Sequence, residues 1–232
     1  MKILVISDGH GNLETLSRLA DKEKDAEIVL FGGDFAALGD TESALPYLER
    51  LTKAWDRVFA VTGNADEPWF RDTVDEYDCS VEGSLAYYSS LIFTGSGGAS
   101  HFTGDTPNER SDEQLCEDLS LVEESAGDSE TPGESWNNLV VLMHNPPKDT
   151  TCDRIHSGVH VGSPLLRDFV ERRQPLLVVC GHIHEAVSTD TIGTTTIVNP
   201  GSLAEGRYAI VEIGGGKGEP YVVNSVRLEQ LS

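Results

Sequence analysis

Five short segments of the chain carry side chains that bind metal ions, and each follows a run of apolar residues. The segments are Asp8-Gly9-His10, Gly33-Asp34, Gly63-Asn64-Ala65-Asp66, His144 and Gly181-His182-Ile183-His184. Their carboxylate, amide and imidazole groups are the oxygen and nitrogen donors that Mn²⁺, Fe, Ni or Zn²⁺ accept. Because they include no thiolate, a structural zinc site is not indicated. The donor set therefore points to a metal centre of nitrogen and oxygen ligands.

Each ligand segment comes directly after a pattern that predicts a β-strand. Near-continuous apolar runs are typical of strands buried on both faces, and we predict such strands at 2–7, 27–31, 57–62, 138–143 and 176–180. Side chains two positions apart in an extended segment, as in Asp8 and His10, point to the same side. Ligands at the carboxyl ends of strands in a layered α/β protein converge on one crevice. We therefore expect the five segments to meet there.

Helix signals alternate with these strands. Asn12 is a predicted N-cap for a helix whose apolar side carries Leu13, Leu16 and Leu19 or Ala20. A second helix is predicted around 41–52, and Ser163-Pro164 opens another. Further β segments are predicted at 84–88, 91–95, 186–192, 194–198, 207–213 and 220–228. Because the chain has no internal repeat and no dividing linker, we predict one domain over residues 1–232.

Residues 105–135 differ from the rest of the chain in charge, with eleven acidic side chains and Arg110 as the basic one. A capping box at Ser111 and an apolar stripe predict a helix that Gly127 ends. The stripe consists of Leu115, Leu119 and Val122. Residues 128–135 are typical of a flexible acidic linker. We interpret this insertion as a solvated outer helix over the core, with a partner-binding arm as the alternative.

The net charge is strongly negative: 17 Lys and Arg against 39 Asp and Glu give −22. This balance argues against a protein that holds extended nucleic acid or an anionic membrane through a basic surface. At molar salt the Debye length falls to roughly 3 Å, so the self-repulsion of the chain largely disappears. We hypothesise a halophilic, salt-adapted protein, and an ordinary acidic mesophilic protein is the alternative.

The length of the apolar runs and the spacing of the cysteines indicate the cellular compartment of the protein. The longest apolar runs, such as 139–143 and 176–180, are far too short to span a bilayer. The first residues lead straight into Ser7-Asp8 without a small-residue cleavage site, so they are interpreted as a strand and not a signal peptide. The widely spaced cysteines, without a CxxC pair, indicate neither a thiolate zinc site nor a disulfide framework; they are Cys79, Cys116, Cys152 and Cys180. A cytoplasmic protein without a membrane partner is expected.

The order and spacing of the five ligand segments resemble the calcineurin-like metallophosphoesterase superfamily. Its signature runs Asp-x-His, Gly-Asp, Gly-Asn-His-Asp/Glu, His and Gly-His-x-His, and the match spans residues 8–184. Other stretches look like the Icc-related predicted phosphoesterases, a small prokaryotic subgroup. These are 106–109, 144–147, 162–163, 181–185 and 199–202. The resemblance implies an α/β fold, a four-layer αββα sandwich in which helices flank two mixed β-sheets.

The resemblance also implies a centre of two divalent metal ions, with Mn²⁺ as the first candidate and Fe, Ni or Zn²⁺ as alternatives. One ion would be held by Asp8, His10, Asp34 and His184. The other would be held by Asp34, Asn64, His144 and His182. Asp34 would bridge the two ions, and catalytic roles are implied for Asp34, Asn64 and His144. Two cations about 3.5–4 Å apart lower the pKa of a shared water and clamp the phosphoryl oxygens.

The function implied is hydrolysis of a small phosphate ester by a metal-activated hydroxide, the substrate being a phosphodiester or an activated phosphomonoester. A binding or scaffold protein that keeps the fold but turns over weakly is the main alternative. A redox metalloprotein is a third possibility, although no tyrosinate ligand motif supports it. The physiological substrate, the native metal pair and the oligomeric state stay open.

At two places the sequence departs from the family pattern, and each departure restricts the substrates or activities that are expected. Ala65 stands where the family commonly has a His that assists the leaving group, an effect typically worth about 10²–10⁴-fold. Substrates with good leaving groups would need little such help, or another group would substitute for it. The candidates are His101, His156, His160 and Asp66, although Asp66 is also interpreted as a simple cap. The segment after Asp34 lacks the Arg-Gly of related protein phosphatases, which argues against that activity.

Overall fold

The computed structural model describes residues 1–126, 136–216 and 218–231. The strands are β1 (Lys2–Ile6), β2 (Ile28–Phe31), β3 (Val58–Ala60), β4 (Ala86–Tyr88), β5 (Leu91–Ser96), β6 (Ala99–Ser100), β7 (Glu109–Arg110), β8 (Leu139–Met143), β9 (Leu177–Val179), β10 (Ser188–Ile192), β11 (Thr195–Asn199), β12 (Arg207–Gly216) and β13 (Glu219–Gln230). The α-helices are α1 (Leu13–Lys22), α2 (Ala44–Ala54), α3 (Phe70–Glu76), α4 (Asp112–Glu117), α5 (Ser120–Ala126) and α6 (Pro164–Arg173). Within these ranges, no helix has both the length and the apolar surface to cross a membrane.

Within the described residues the strands form two large mixed sheets and a small β6–β7 pair. The first sheet has the order β13-β12-β1-β2-β3, and the second has the order β10-β11-β9-β8-β5-β4. In the first sheet β1, β2 and β3 are parallel, with Ile3 opposite Ile28 and Val29 opposite Val58. In the second sheet β8 and β9 are parallel, with Val140 opposite Leu177. Because parallel strands end at the same edge, each sheet presents its ligand-bearing turns on one rim.

The buried apolar side chains of the described residues form three clusters, which separate four layers. One cluster lies between the first sheet and α1, α2 and α3, one lies between the sheets, and one lies between the second sheet and α4, α5 and α6. In β1, Leu4 and Ile6 face the helices while Ile3 and Val5 face the second sheet. This alternation is the period of two of a strand that is covered on both sides. The predicted αββα sandwich is confirmed.

Side chains cap three of the helices at the predicted positions. Asn12 Oδ1 accepts the Thr15 N–H at 3.0 Å, and Ser163 Oγ accepts the Leu166 N–H at 3.2 Å. Ser111 forms both bonds of the predicted capping box with Gln114. The predicted apolar side of α1 is wrong at its first position, because Leu13 is 41 % exposed. Leu13 precedes the turns of α1 that pack on the sheet.

The helix predicted around 41–52 is also corrected. A 3-10 turn occupies Thr41–Ser43, and α2 begins only at Ala44. The turn is tight because the Asp40 carbonyl accepts both the backbone N–H and the side-chain hydroxyl of Ser43, at 3.2 and 2.6 Å. Thr41 in this turn lines a cleft that is described below.

The acidic helix predicted after Ser111 is two helices, α4 and α5, and not one. The interruption coincides with Asp118, whose carboxylate accepts a hydrogen bond from the Arg110 guanidinium at 2.6 Å. The predicted apolar stripe is nevertheless buried in the outer cluster. Glu123 of α5 pairs with Arg172 and Arg173 of α6, so this segment covers the second sheet as an outer layer. The predicted stop at Gly127 and the predicted linker at 128–135 lie outside the described residues.

Candidate metal centre

The predicted ligands lie in five turns at the carboxyl ends of parallel strands. Asp8 and His10 follow β1, Asp34 follows β2, and Asn64 follows β3 in the first sheet. In the second sheet His144 follows β8, and His182 and His184 follow β9. The two rims face each other across the sandwich, so that side chains from both sheets come into contact. The expectation that the five segments meet is confirmed by the distances that follow.

A first group of donors joins Asp8, His10 and His184, with one ligand atom of each within 4.8 Å of the others. His184 Nε2 lies 3.0 Å from Asp8 Oδ1 and 3.2 Å from His10 Nε2. These side chains come from both sheets, although 174 residues separate His10 from His184. The group matches three of the four donors predicted for one metal ion.

A second group joins Asp8, Asp34 and His144 within the same distance, 4.8 Å. Asn64 extends it, because Asn64 Oδ1 lies 2.9 Å from His144 Nε2. One oxygen of Asp34 connects the two groups. Asp34 Oδ2 lies 3.7 Å from His10 Nε2 and 3.6 Å from His144 Nε2. The other oxygen, Oδ1, accepts the Ala65 N–H at 2.8 Å, which leaves Oδ2 facing both imidazoles.

His182 is the predicted ligand whose imidazole lies least close to the other donor atoms. Its backbone N–H donates to both oxygens of Asp8 at 3.2 Å, and its ring centroid lies 5.3 Å from that of His144. Among the described residues, neither donor group includes a ring nitrogen of His182. The structure therefore brings His182 to the centre without placing its imidazole nitrogen among the other donors.

Two backbone carbonyls fix the protonation of the imidazoles in a form that suits a cation. His144 Nδ1 lies 2.7 Å from Gly32 O, and His10 Nδ1 lies 3.2 Å from Ala36 O. A carbonyl oxygen can only accept, so each Nδ1 carries the proton, and in the neutral ring Nε2 keeps a lone pair. The lone pair of His144 then faces the Asn64 carbonyl oxygen, which is another acceptor. Converging acceptors of this kind fit a divalent cation, so the residues present match the group that the donor set implies.

The backbone is strained at four of the predicted ligands. Asp8, His10, Asp34 and His182 have φ values of 55°, 44°, 62° and 65°. These values lie in the left-handed region, which costs a non-glycine residue roughly 1–2 kcal/mol. Such strain persists where the surrounding structure over-determines the conformation, and it clusters at functional sites. The strained turns aim the side chains inward from the rim.

Glycines next to the ligands allow the turns to approach one another. A Cβ on Gly63 would lie 2.0 Å from Asp34 Oδ1, and one on Gly33 would lie 2.6 Å from His144 Nδ1. Gly33 also has a φ of 104°, which is easily adopted only without a side chain. The glycines of the Gly-Asp and Gly-Asn segments therefore let two turns and an imidazole occupy the same small volume.

The two central carboxyl groups have pKa values shifted in opposite directions. Burial raises the pKa of Asp34. Burial acts in the same sense on Asp8, but the hydrogen bond from His184 and the nearby imidazoles hold the pKa of Asp8 below its ordinary value. Burial lowers the pKa of His182 to about 3, and the neighbouring His144 adds to this effect. Burial acts in the same sense on His144, but the charges of Asp34 and Asp8 outweigh it and raise the pKa of His144. The hydrogen bond to Asp8 raises the pKa of His184. Because a ligating imidazole must be neutral, a cation that binds here would displace protons from His144 and His184.

Asp66 does not face the centre but joins two of its turns. Its buried carboxylate accepts the N–H groups of Asp34, Phe35 and Ala36 at 3.1, 3.2 and 2.8 Å, and that of Gly63 at 2.8 Å. Burial and the charge of Asp34 raise its pKa to about 7, and these N–H groups oppose that rise. Asp66 is therefore a positioning residue, which removes it as a substitute for the His that Ala65 replaces.

Asn108 and Ser202 brace the ligand turns in a way that the sequence did not indicate. Asn108 donates from Nδ2 to Gly63 O at 3.1 Å, and its backbone N–H donates to Asn64 O at 3.1 Å. Ser202 Oγ donates to Asp8 O at 2.8 Å. Both residues lie in stretches that look like the prokaryotic subgroup, and that likeness was the available signal.

The other histidines suggested as substitutes for the missing imidazole have local roles in the structure. His160 Nδ1 lies 2.6 Å from the buried Asp153 carboxylate, and the His156 backbone N–H donates to Glu185 at 2.8 Å. His101 is exposed, and its backbone N–H donates to Arg110 O at 3.0 Å. None of these contacts joins the three imidazoles to the donor groups described above.

Comparison with known proteins bears on the identity of this centre. The model of the calcineurin-like phosphoesterase family matches residues 1–186. "Uncharacterized protein MJ1162" of Methanocaldococcus jannaschii is 29% identical over 207 residues, which cover 86% of this chain and 88% of that protein.

Two solved structures show the same fold at low identity. TT1561 of Thermus thermophilus is 17% identical with a TM-score of 0.69, covering 99% of this chain and 98% of that one. A dimetal phosphatase from Danio rerio is 11% identical with a TM-score of 0.63, covering 100% and 99% of the two chains. The family match covers the turns that carry all seven predicted ligands. The chain therefore belongs to the calcineurin-like phosphoesterase family and is a metal-dependent hydrolase of phosphoric esters.

Proposed function

We propose that the protein hydrolyses a phosphodiester or an activated phosphomonoester with two divalent cations. The observation that carries the proposal is the position of Asp34 Oδ2, at 3.7 and 3.6 Å from the Nε2 atoms of His10 and His144. A single oxygen between two groups of donors is the arrangement expected of a bridging ligand. The Danio rerio protein with the same fold is a dimetal phosphatase, which supports the same number of ions.

In this proposal Asp8, His10, Asp34 and His184 hold one cation, and Asp34, Asn64, His144 and His182 hold the other. Asp8 also lies within reach of the second group, so both buried carboxylates contribute negative charge to the pair. The cations, when bound, would acidify a water molecule and neutralise charge on the phosphoryl oxygens. We propose Mn²⁺ as the native ion, with Fe, Ni and Zn²⁺ as alternatives, because oxygen and imidazole donors without a thiolate accept all four.

The protein residues prepare the centre before substrate arrives. The carbonyls of Gly32 and Ala36 hold the protons of His144 and His10 away from the pocket, and the Ala65 N–H fixes the orientation of the Asp34 carboxylate. Such preorganisation is worth more in a buried site than in water. Ala65 has no proton to give to a departing alkoxide, so the proposal favours esters whose leaving groups need little protonation.

Metal stoichiometry and turnover test the proposal together. The metal-free protein is titrated with Mn²⁺, and hydrolysis of bis(p-nitrophenyl) phosphate is followed for the wild type and for Asp34→Asn. We expect two equivalents of Mn²⁺ for the wild type, and for the variant at least about a hundredfold loss of kcat/KM with weakened binding of the second ion. Asp21→Asn, which neutralises an exposed acid of α1, is the matched control.

A single equivalent of Mn²⁺ at saturation, or full activity in Asp34→Asn, would contradict the proposal. Two equivalents without turnover of any phosphate ester would instead favour the scaffold function.

A further inference from the structure

A cleft of ≈ 410 Å³ lies beside the candidate metal centre. It is formed by residues after β2, residues after β3 and the loop that precedes β7, and it includes Leu38, Thr41, Ala65, Glu67, Asp105 and Pro107. Ala65 connects the cleft to the centre, because its N–H binds Asp34 and its neighbour Asn64 contacts His144. The volume lies in the range of small-ligand pockets, roughly 300–1,000 Å³.

The outer wall of the cleft is built by specific hydrogen bonds. Glu109 accepts the N–H groups of Phe102 and Gly104 at 2.8 and 3.0 Å and the Thr106 hydroxyl at 3.2 Å. The buried Asn108 fastens the same loop to the backbone of Gly63 and Asn64. The wall therefore has a fixed position relative to a predicted metal ligand, as a substrate-binding surface requires.

The composition of the cleft restricts what it can hold. Leu38, Ala65 and Pro107 offer apolar contact, and Leu38 is 69 % exposed where an apolar group could cover it. Glu67 and Asp105 are negatively charged, and none of the residues that line the cleft is basic. Carboxylates in this position repel an anionic group that enters beside them.

We propose that the cleft binds one alcohol group of the phosphate ester, and that this alcohol carries no negative charge. The inference rests on the proposed function, since it places the phosphate at the adjoining centre. A histidine side chain at position 65 would reach into the same volume that the Ala65 methyl group leaves open. The departure from the family pattern thus enlarges the space for the organic part of the substrate.

Two substitutions introduce bulk at residues that line the cleft. Thr41→Trp acts at an exposed rim position, and Ala65→Leu acts at the buried floor. With Mn²⁺ bound, we expect each to raise KM for bis(p-nitrophenyl) phosphate at least about tenfold. In Thr41→Trp the inhibition constant of inorganic phosphate, which has no alcohol group, stays unchanged. Because the two arms of this substrate are identical, one of them occupies the cleft whichever bond is broken.

A second comparison tests whether the acidic residues of the cleft disfavour a negatively charged alcohol group. We expect the wild type to prefer bis(p-nitrophenyl) phosphate over the analogue with a carboxylate on each ring, and the double variant Glu67→Gln/Asp105→Asn to reduce this preference about fivefold or more. Glu76→Gln, which neutralises an exposed acid of α3, serves as the control and keeps the wild-type preference.

The results separate the inference from the proposed function. Unchanged KM in both filled variants, or a rise in the phosphate inhibition constant parallel to KM in Thr41→Trp, overturns the cleft assignment. An unchanged preference in the double variant overturns the charge assignment. A wild-type protein that binds Mn²⁺ but hydrolyses no ester removes the proposed function itself, and the inference falls with it.

Discussion

Removing the Asp66 carboxylate should destabilise the protein by an amount that follows from its hydrogen bonds. Among the described residues, Oδ2 accepts the N–H groups of Asp34, Phe35 and Gly63, and Oδ1 accepts that of Ala36. A buried N–H left without a partner costs about 1–3 kcal/mol. Asp66→Ala leaves all four N–H groups unpaired, so the free energy of unfolding should fall by about 4 kcal/mol or more.

Asp66→Asn keeps the volume of the side chain and changes only its hydrogen bonds. The amide oxygen can replace Oδ2, but the amide NH₂ then faces the Ala36 N–H, donor against donor. The expected loss is about 1–3 kcal/mol, well below that of Asp66→Ala. Urea unfolding of the metal-free proteins at fixed salt measures both values, and Asp75→Ala, at an exposed position of α3, should change stability by less than about 0.5 kcal/mol.

The same variants report on the centre, because Asp66 holds the turn that carries Asp34. We expect Asp66→Ala to weaken Mn²⁺ binding even where it remains folded, and Asp66→Asn to weaken it less. If both variants unfold within about 0.5 kcal/mol of the wild type, the four hydrogen bonds are not a major source of stability, and the positioning role is refuted.

Three further predictions concern pH, packing and salt. Burial raises the pKa of Glu82 above its ordinary 4.5 in the folded protein, so its contribution to stability is present below pH 4.5 and is lost as the pH rises through the raised value. Urea unfolding should therefore show a smaller decline of stability above pH 4.5 in Glu82→Gln than in the wild type; parallel curves would count against this. Phe93→Ala removes a ring that stacks on Phe59 between the sheets, with 4.0 Å between the two ring centroids. The free energy of unfolding, measured in the same way, should fall by about 3–5 kcal/mol. A fall of less than about 1 kcal/mol would contradict the packing argument. If the charge of −22 reflects a salt-rich cytoplasm, the thermal midpoint should rise between about 0.1 and 2 M KCl, and a constant midpoint would end that interpretation.

The meeting of the ligands could be predicted because strand ends impose it. Asp8, Asp34 and His144 each follow a buried apolar run, and a parallel arrangement brings such positions to a common rim. The ends of two of these strands were also close, since β1 ends at Ile6 and β8 at Met143, within a residue of the predicted limits, whereas β12 extends to Gly216, three residues beyond its predicted limit. A near-continuous apolar run is a local signal, which a single sequence contains in full. That residues 1–232 form one domain stays a prediction.

The helices were harder to predict wherever tertiary contacts decide them. The sequence did not indicate α3, whose N-terminus has no side-chain cap and whose Phe70 and Val74 are held by the first core cluster. The separation of α4 from α5 accompanies the ion pairs of Asp118 with Arg110 and with the distant Arg71. Both features depend on what the rest of the fold places beside the segment, and no local pattern records that.

The residues that brace the site were missed for a related reason. Asn108 and Ser202 reach the ligand turns across 45 and 194 residues of chain. An asparagine or serine in a loop is typical of turns in general. Only the folded structure distinguishes a side chain that supports a distant ligand-bearing turn from one that stabilises the turn in which it lies.

The division of the donors between the sheets links the centre to the assembly of the sandwich. Asp8, His10, Asp34 and Asn64 belong to the first sheet, while His144, His182 and His184 belong to the second. In the proposed centre neither half alone offers a full coordination sphere, so tight uptake of metal would require that both halves have already docked in register. An ion bound there also opposes their separation and raises the work needed to unfold the chain. The metal affinity of this protein would thus also report the fraction of molecules in which the two sheets have docked.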